Sequence, residues 1–554
     1  MKYAKQLLLL VSLATAAACT GDFEDYNTNP NKQSQGSIEP LSMLEPLIYS
    51  SSNSYSSYML SIANEISQVT VAKSTPRREH AYNLDNGNFQ AIWNLGYRWA
   101  NNADHMYQLA TAQNQPNMQA IGLTLKVYHM SILTDMFGSV PYREALKANS
   151  GVTKPRVDSQ QEVYEAMMAD LERANALYNP SIALNDPTKD AIYGGDIAKW
   201  QKFTNTLHLR LLMRVSGRND AFTPSVSARI ATILGDPATW PVFESNADNA
   251  TVKFSGAATY YRTYFNATDF PDDLSLSGDH HVAAQLLGMI YDAQSGFEDP
   301  RMRIWIKPRY VPSPAEIREM VGAVSGCTIT YNGNTRISEC EPYLHYETLV
   351  GDTRPNRMLD YDELLFIKAE AALKGWIGGS AEEYYKEAVR ASCEKWAEYG
   401  DFASYPSLNG GKVSFSSVAI NQKQIDAFLA SDRGRWDGTE QRLAEQKWLG
   451  LFWVLGFQQY HEMRRTGYPE CKTGMGTIEL NRTDGKFIAR YPYPLIAIAN
   501  NRANYTAAFA EQGGTIDDNT MTFPVWWSGQ AVARDAGRPW PHSFRHNVTA
   551  EENL

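Results

Sequence analysis

The sequence has no apolar stretch long enough to cross a bilayer. The longest, Leu7 to Ala18, is 12 residues, where a spanning helix needs roughly 20. A basic surplus is also missing: the net charge is -10, which argues against nucleic acid or an anionic membrane surface as a partner. Cysteine is scarce, five in 554 residues. No nucleophile elbow, phosphate-binding P-loop, HExxH zinc site, Gly-rich dinucleotide loop or EF-hand loop occurs, so no motif points to catalysis. Neither a cofactor nor a metal is implied. Asp279-His280-His281 reads as solvated loop polarity, because adjacent loop histidines seldom face one ion.

What is present begins at the N-terminus. Lys2 and Lys5 precede the apolar run, and Ala16, Ala17 and Ala18 close it with the small residues a signal peptidase needs, so residues 1–18 read as an export signal. Cys19 follows directly, in the manner of a bacterial lipobox with Ala16 where Leu is usual. Acylation would then make Cys19 the new N-terminus and anchor the chain to a membrane. Residues 19–37 are polar, Asn-rich and without apolar period, and read as a flexible tether.

The chain is 43% hydrophobic, and its body, 38–554, is long enough for one large or two to three ordinary domains. Helical periodicity dominates 38–217, 360–398 and 439–468. Phe89, Ile92, Trp93, Gly96, Ala100, Ala103 and Tyr107 share one helix face, and Trp200, Phe203, Leu207 and Leu211 another. The spacing of Ala381, Tyr385 and Ala388 matches the second helix of a tetratricopeptide pair. The last helical block is expected as one helix from about Glu440 to Arg465, ended by Arg464, Arg465, Gly467 and Pro469. Residues 218–359, 399–438 and 469–554 are rich in breakers and read as irregular, with short strands. The expectation is a mainly α fold.

With Cys19 lipidated, four cysteines remain. Cys327 and Cys340 flank a hairpin-like segment around Asn332-Gly333-Asn334. A Gly333-Asn334 turn places them opposite each other for a disulfide, whereas an Asn332-Gly333 turn shifts the register and spoils the pairing. Cys393 shares helical spacing with Tyr385, Val389 and Trp396 and reads as a buried free thiol.

Aromatics are abundant, with 13 Trp and 31 Tyr. Trp99 sits roughly 80° from the stripe of its helix by the 100° per residue rule, so it is the ring expected to be free for a ligand, with Trp93 in the core. The run "ATYYRTYFNATDF" puts Tyr260, Tyr261, Tyr264 and Phe265 in an irregular region, where loop-borne rings make binding platforms. Sugars stack flat C–H faces on such rings and need polar groups at the edge. Arg77 and Arg78 are candidate edge donors. The candidate ligand residues are therefore Trp99, Tyr261, Tyr264 and Arg77.

Several long motifs together carry a family resemblance: "DFEDYNTNPNK" after Cys19, "LTDMFGSVPYREAL", "WQKFTNTLHLRLLMRVSG", "EDPRM", "ELLFIKAEAALKGW", "EQKWLGLFWVLGFQQYHEMRRTGYP" and "RYPYP". The chain resembles the SusD/RagB family of outer-membrane nutrient-binding lipoproteins along essentially its whole mature length. The resemblance implies tetratricopeptide-type helix pairs packed against an irregular ligand-facing part. It implies a glycan or, in the RagB branch, a peptide ligand, and no enzymatic activity. It also implies a cell-surface position on the outer membrane and a partner, a SusC-like TonB-dependent transporter that the lipoprotein covers as a hinged lid. In that setting Asp22, Glu24 and Asp25 resemble an export tag for the outer face. A surface glycoside hydrolase and a scaffold that binds only protein are the alternatives.

Overall fold

The computed structural model describes residues 38–72, 82, 84–271, 280–292, 295–307, 342–400, 404–409, 412–417, 419–453, 455–470 and 487–528. Cys19, Arg77, Cys327 and Cys340, together with the export signal and tether, lie outside the described residues.

Helices supply the frame: α1 Leu41–Tyr58, α2 Asn86–Ala112, α3 Pro116–Phe137, α4 Gln160–Leu177, α5 Ile197–Arg214, α6 Val226–Gly235, α7 Tyr361–Leu373, α8 Ala381–Ala397, α9 Glu440–Gly450, α10 Gly456–Thr466 and α11 Leu495–Glu511. The starts are written in the sequence. The Asp85 carboxylate accepts from the Gly87 and Asn88 amides at 2.8 and 3.1 Å, and Ser159 forms a capping box with Glu162, each satisfying donors that a helix start leaves open.

The α2–α3 pair shows why small residues matter. A Cβ on Gly96 would fall 2.3 Å from Leu133 Cγ, and one on Gly122 would fall 2.9 Å from Tyr107 Cβ. Two glycines, one on each helix, thus let the antiparallel helices touch at two levels. The α7–α8 pair is similar: Tyr385 and Ala388 are fully buried, and the Tyr385 hydroxyl donates to the Gly434 carbonyl at 2.8 Å. Cys393 on α8 is buried and free, and burial pushes its thiol up to about 12.

Among the described residues, strands occur only as short two-stranded antiparallel pairs. Thr70–Ala72 pairs with His280–Val282, Ala250–Val252 with Asn356–Leu359, and Ser404–Asn409 with Lys412–Ser417. His280 and His281 are therefore buried strand residues rather than solvated loop polarity, and His280 Nδ1 lies 3.0 Å from Glu65 Oε1. A buried polar group needs such a partner.

Two further expectations are corrected. The single helix over Glu440–Arg465 is two, α9 and α10, because Trp453 turns left-handed at φ 76° and Gly456 packs on Ala63 and Asn64, in the helical turns that follow α1. A Cβ at Gly456 would lie 2.5 Å from Asn64 Oδ1, so backbone approach there outweighs helical continuity. The stop signals do hold, with Gly467 at φ 79° after Arg464 and Arg465. The C-terminal region contains a 17-residue helix, α11, that the periodicity did not announce. Asn501 breaks its regularity at φ -142°, and Leu495 and Ile496 face solvent, so its apolar residues form no single stripe.

The helices meet over buried charge as well as apolar side chains. Arg210 of α5 grips Glu363 of α7 through two bonds of 2.8 and 2.5 Å. Arg214 reaches Glu462 of α10 at 2.7 Å, Lys447 of α9 reaches it at 3.2 Å, and Arg465 bridges Glu462 and Glu370, at 2.7 Å to each. Lys395 of α8 holds Asp360 and Asp362 at 2.9 and 2.7 Å. Burial alone raises the Glu462 pKa, but Arg465, Lys447 and Arg214 outweigh it and hold the carboxyl well below the usual range.

Candidate functional site

One face of α1 builds the site. Glu45, Tyr49, Ser52 and Asn53 recur at three- and four-residue steps and so share a stripe, against which the segment 254–270 lies. Asn53 clamps that segment: its Nδ2 donates to the Arg262 carbonyl at 2.9 Å, and its Oδ1 accepts from the Tyr264 amide at 2.8 Å. Asn356 Nδ2 donates to Ser52 Oγ at 2.9 Å, and the Tyr49 hydroxyl donates to the Lys253 carbonyl at 3.0 Å. Gly256, at φ 69°, turns the chain and donates to the Tyr261 carbonyl at 2.9 Å. A side chain there would be strained and would crowd Asp352.

Three tyrosines result from this folding. Tyr49, Tyr260 and Tyr261 stand mutually edge-on, with centroids 5.7, 5.4 and 5.0 Å apart, the arrangement that ring quadrupoles favour. Tyr260 is 41% exposed, Tyr261 half-buried and Tyr49 buried, so the cluster is a supported ring with one open face. Burial raises the Tyr49 and Tyr260 pKa values above the ordinary 10, and their hydroxyls remain neutral donors at physiological pH. An ion pair lies beside the rings, Lys189 with Glu45 at 3.0 Å, and Arg262, next to Tyr261 in the chain, pairs with Asp352 at 3.2 Å.

Tyr264 belongs to a neighbouring cluster, 5.2 Å from Phe265 and 5.7 Å from Phe270. Phe265 lies 4.8 Å from Trp453, which ties the segment to the α9–α10 junction. The structure thus brings Tyr261 and Tyr264 onto one ordered segment. Trp99 is elsewhere, in the helical core and only 8% exposed, while Trp93 is the half-buried ring, the reverse of the expected order. The reason is that α2 packs against both α1 and α3, and a helix covered on two sides has no single buried stripe. Tyr49, Asn53 and Glu45 escaped the sequence reading. Their spacing was visible, but nothing local said that α1 would face the tyrosine segment.

A scaffold of helix pairs carrying a braced aromatic segment at one edge defines a class of binding protein. Residues 30–494 match the SusD-like family described as starch-binding and associating with the outer membrane, and the chain belongs to that family. Solved structures agree. A chitin-binding protein matches with TM-score 0.72 at 24% identity, over 88% of this chain and 100% of that one. A SusD homologue from Bacteroides fragilis matches with TM-score 0.70 at 20% identity, over 89% and 100%, and one from Bacteroides thetaiotaomicron with TM-score 0.65 at 21%, over 89% and 100%. At these identities the likeness is one of fold. No curated protein matches the chain. Among the described residues no helix is long and apolar enough to cross a membrane.

Proposed function

We propose that this protein is a surface lipoprotein, anchored through Cys19 in the outer membrane, that captures an oligosaccharide and delivers it to a SusC-like TonB-dependent transporter. The observation that carries the reading is the exposed Tyr260 ring, held edge-on by Tyr49 and Tyr261 and close to the Lys189–Glu45 pair. A sugar's C–H face stacks on such a ring while hydroxyls find charged groups at its rim. Membership in a family described as starch-binding supports a glycan. Mechanism is capture followed by lid closure over the barrel, with moderate affinity because delivery requires release. A ring whose support is already in place loses little freedom on binding, which favours capture from dilute solution.

The test is an array of glycans and oligopeptides, with tryptophan fluorescence and calorimetry on the purified mature chain. Binding of a glycan that Tyr260→Ala weakens supports the reading. Binding confined to peptides moves the protein to the RagB type, and release of shortened sugars would make it a hydrolase.

A further inference from the structure

A second cavity lies apart from the tyrosine segment and shares none of the residues that build it. It encloses about 690 Å³ between the first turn of α4, the end of α11 and the segment 522–528, a volume within the range of small-ligand sites. Its wall is mixed. Phe523 and Trp526 are half-buried rings at the cavity, and most of the polar groups are neutral: the hydroxyls of Ser139, Ser159 and Thr522 and the amides of Gln160, Gln161 and Gln512. One cation, Arg218, and one acid, Glu511, complete the polar lining.

Gln160 is the informative residue. It is 1% exposed, and its Nε2 is committed to the Thr134 carbonyl at 2.7 Å, which fixes which way the amide points. Its Oε1 is then a buried acceptor with nothing to accept from. Such a group costs about 1–3 kcal/mol unless a donor reaches it. Gln160 also opens α4, where the Ser159 hydroxyl takes the Glu162 amide and the Gln160 and Gln161 amides are left without an intrahelical acceptor.

We infer that this cavity is a second saccharide site, separate from the tyrosine platform, that takes a neutral mono- or disaccharide unit. A phosphate or carboxylate ligand would need a surplus of cationic groups, whereas Arg218 is offset by Glu511 and the remaining lining is amide, hydroxyl and ring. Hydroxyl groups both donate and accept, so a sugar serves Gln160 Oε1 and the open Gln160 and Gln161 amides at once, with its ring against Phe523 and Trp526. Two sites on one chain raise the effective concentration of a polymeric glycan at the surface.

Calorimetric titration of the purified mature chain with maltotriose and with chitotriose tests this. The expected result is two-site binding of one of them. Tyr260→Ala removes one site, and Gln160→Leu or Gln512→Ala weakens the other by roughly three- to tenfold. Gln512 bonds the Ala508 carbonyl of its own helix at 2.8 Å and the Tyr493 side chain, neither shared with Gln160, whose partner is Thr134, so that variant keeps the test valid if Gln160→Leu does not fold. A single site that Tyr260→Ala abolishes and the glutamine variants leave untouched overturns the second site and keeps the platform. A single site with the opposite response upholds the cavity and overturns the platform. No heat with either sugar at millimolar concentration overturns both.

Discussion

The helical core and the tyrosine segment are stabilised by opposite means. In the core, Arg210, Arg214, Lys395 and Lys447 are buried, and Arg465 half-buried, with Glu363, Glu462, Asp360, Asp362 and Glu370, and the charges depend on partners from other elements. In the segment 254–270 the charges sit at the rim, and neutral amides, hydroxyls and ring edges hold the chain to α1. The core therefore fails as a unit when one charge is removed, while the segment tolerates side-chain change provided its clamps remain. A binding protein gains from that division, because a scaffold that resists change can carry a surface that varies.

The largest break should come from Glu462→Ala. It leaves Arg214, Lys447 and Arg465 without a shared carboxylate, and breaking a buried pair costs about 3–5 kcal/mol. Urea unfolding should show that loss; a change below about 1 kcal/mol would mean the network is solvated and the contrast false.

Next is pH. His129 and His208 are buried with pKa values lowered to about 3, His129 by burial and His208 by burial and then Arg229. Burial and then Arg464 lower His461 well below the ordinary value. The unfolded chain binds these protons from about pH 6.5, so the contribution is complete above that and is lost as pH falls. Burial raises Asp135 and Asp362, which act in the opposite direction. The three histidines give a loss of stability as pH falls below about 6.5, which the two acids reduce where they hold protons in the folded chain. Ligand affinity at the tyrosine cluster should stay level from pH 7.5 to 5.5, because burial raises Tyr49 and Tyr260 further above that range. A parallel fall in both would tie the site to the core's titration.

The same division explains what could be read from the sequence. The motifs that carry the family resemblance fall on the charged core: Asp135, Arg210, Arg214, Arg301, Glu363, Lys447, Glu462 and Arg490 all lie within them. Periodicity found the helices because each buries apolar residues, and Gly467 marked an end because the backbone there requires a positive φ. Burial of Trp99 and the split at Trp453 were out of reach, since both follow from which elements pack together rather than from local pattern. Tyr261 and Tyr264 were legible as a run of rings in a breaker-rich stretch. Asn53, more than two hundred residues away in sequence, was not.

Asn53→Ala is the sharper probe of the segment. Losing two hydrogen bonds to backbone groups that water can partly replace costs about 1–2 kcal/mol, so the urea midpoint should shift modestly. The Tyr264 amide should exchange faster with solvent while the amides of α5 and α10 stay protected. Faster exchange throughout the core would show that the clamp belongs to the scaffold.

The smallest stability effect separates the two outer tyrosines. Tyr260→Ala removes a ring that is already 41% exposed, and its unfolding free energy should stay within about 0.5 kcal/mol of the parent. Tyr261→Ala removes a half-buried ring that touches both Tyr49 and Tyr260 and should cost about 1 kcal/mol. Glycan binding should respond in the opposite order, weakened by roughly tenfold in the first variant and less in the second, because Tyr260 offers the open face and Tyr261 supports it. If Tyr261→Ala weakens binding more, Tyr261 is the contact ring and Tyr260 only its cover.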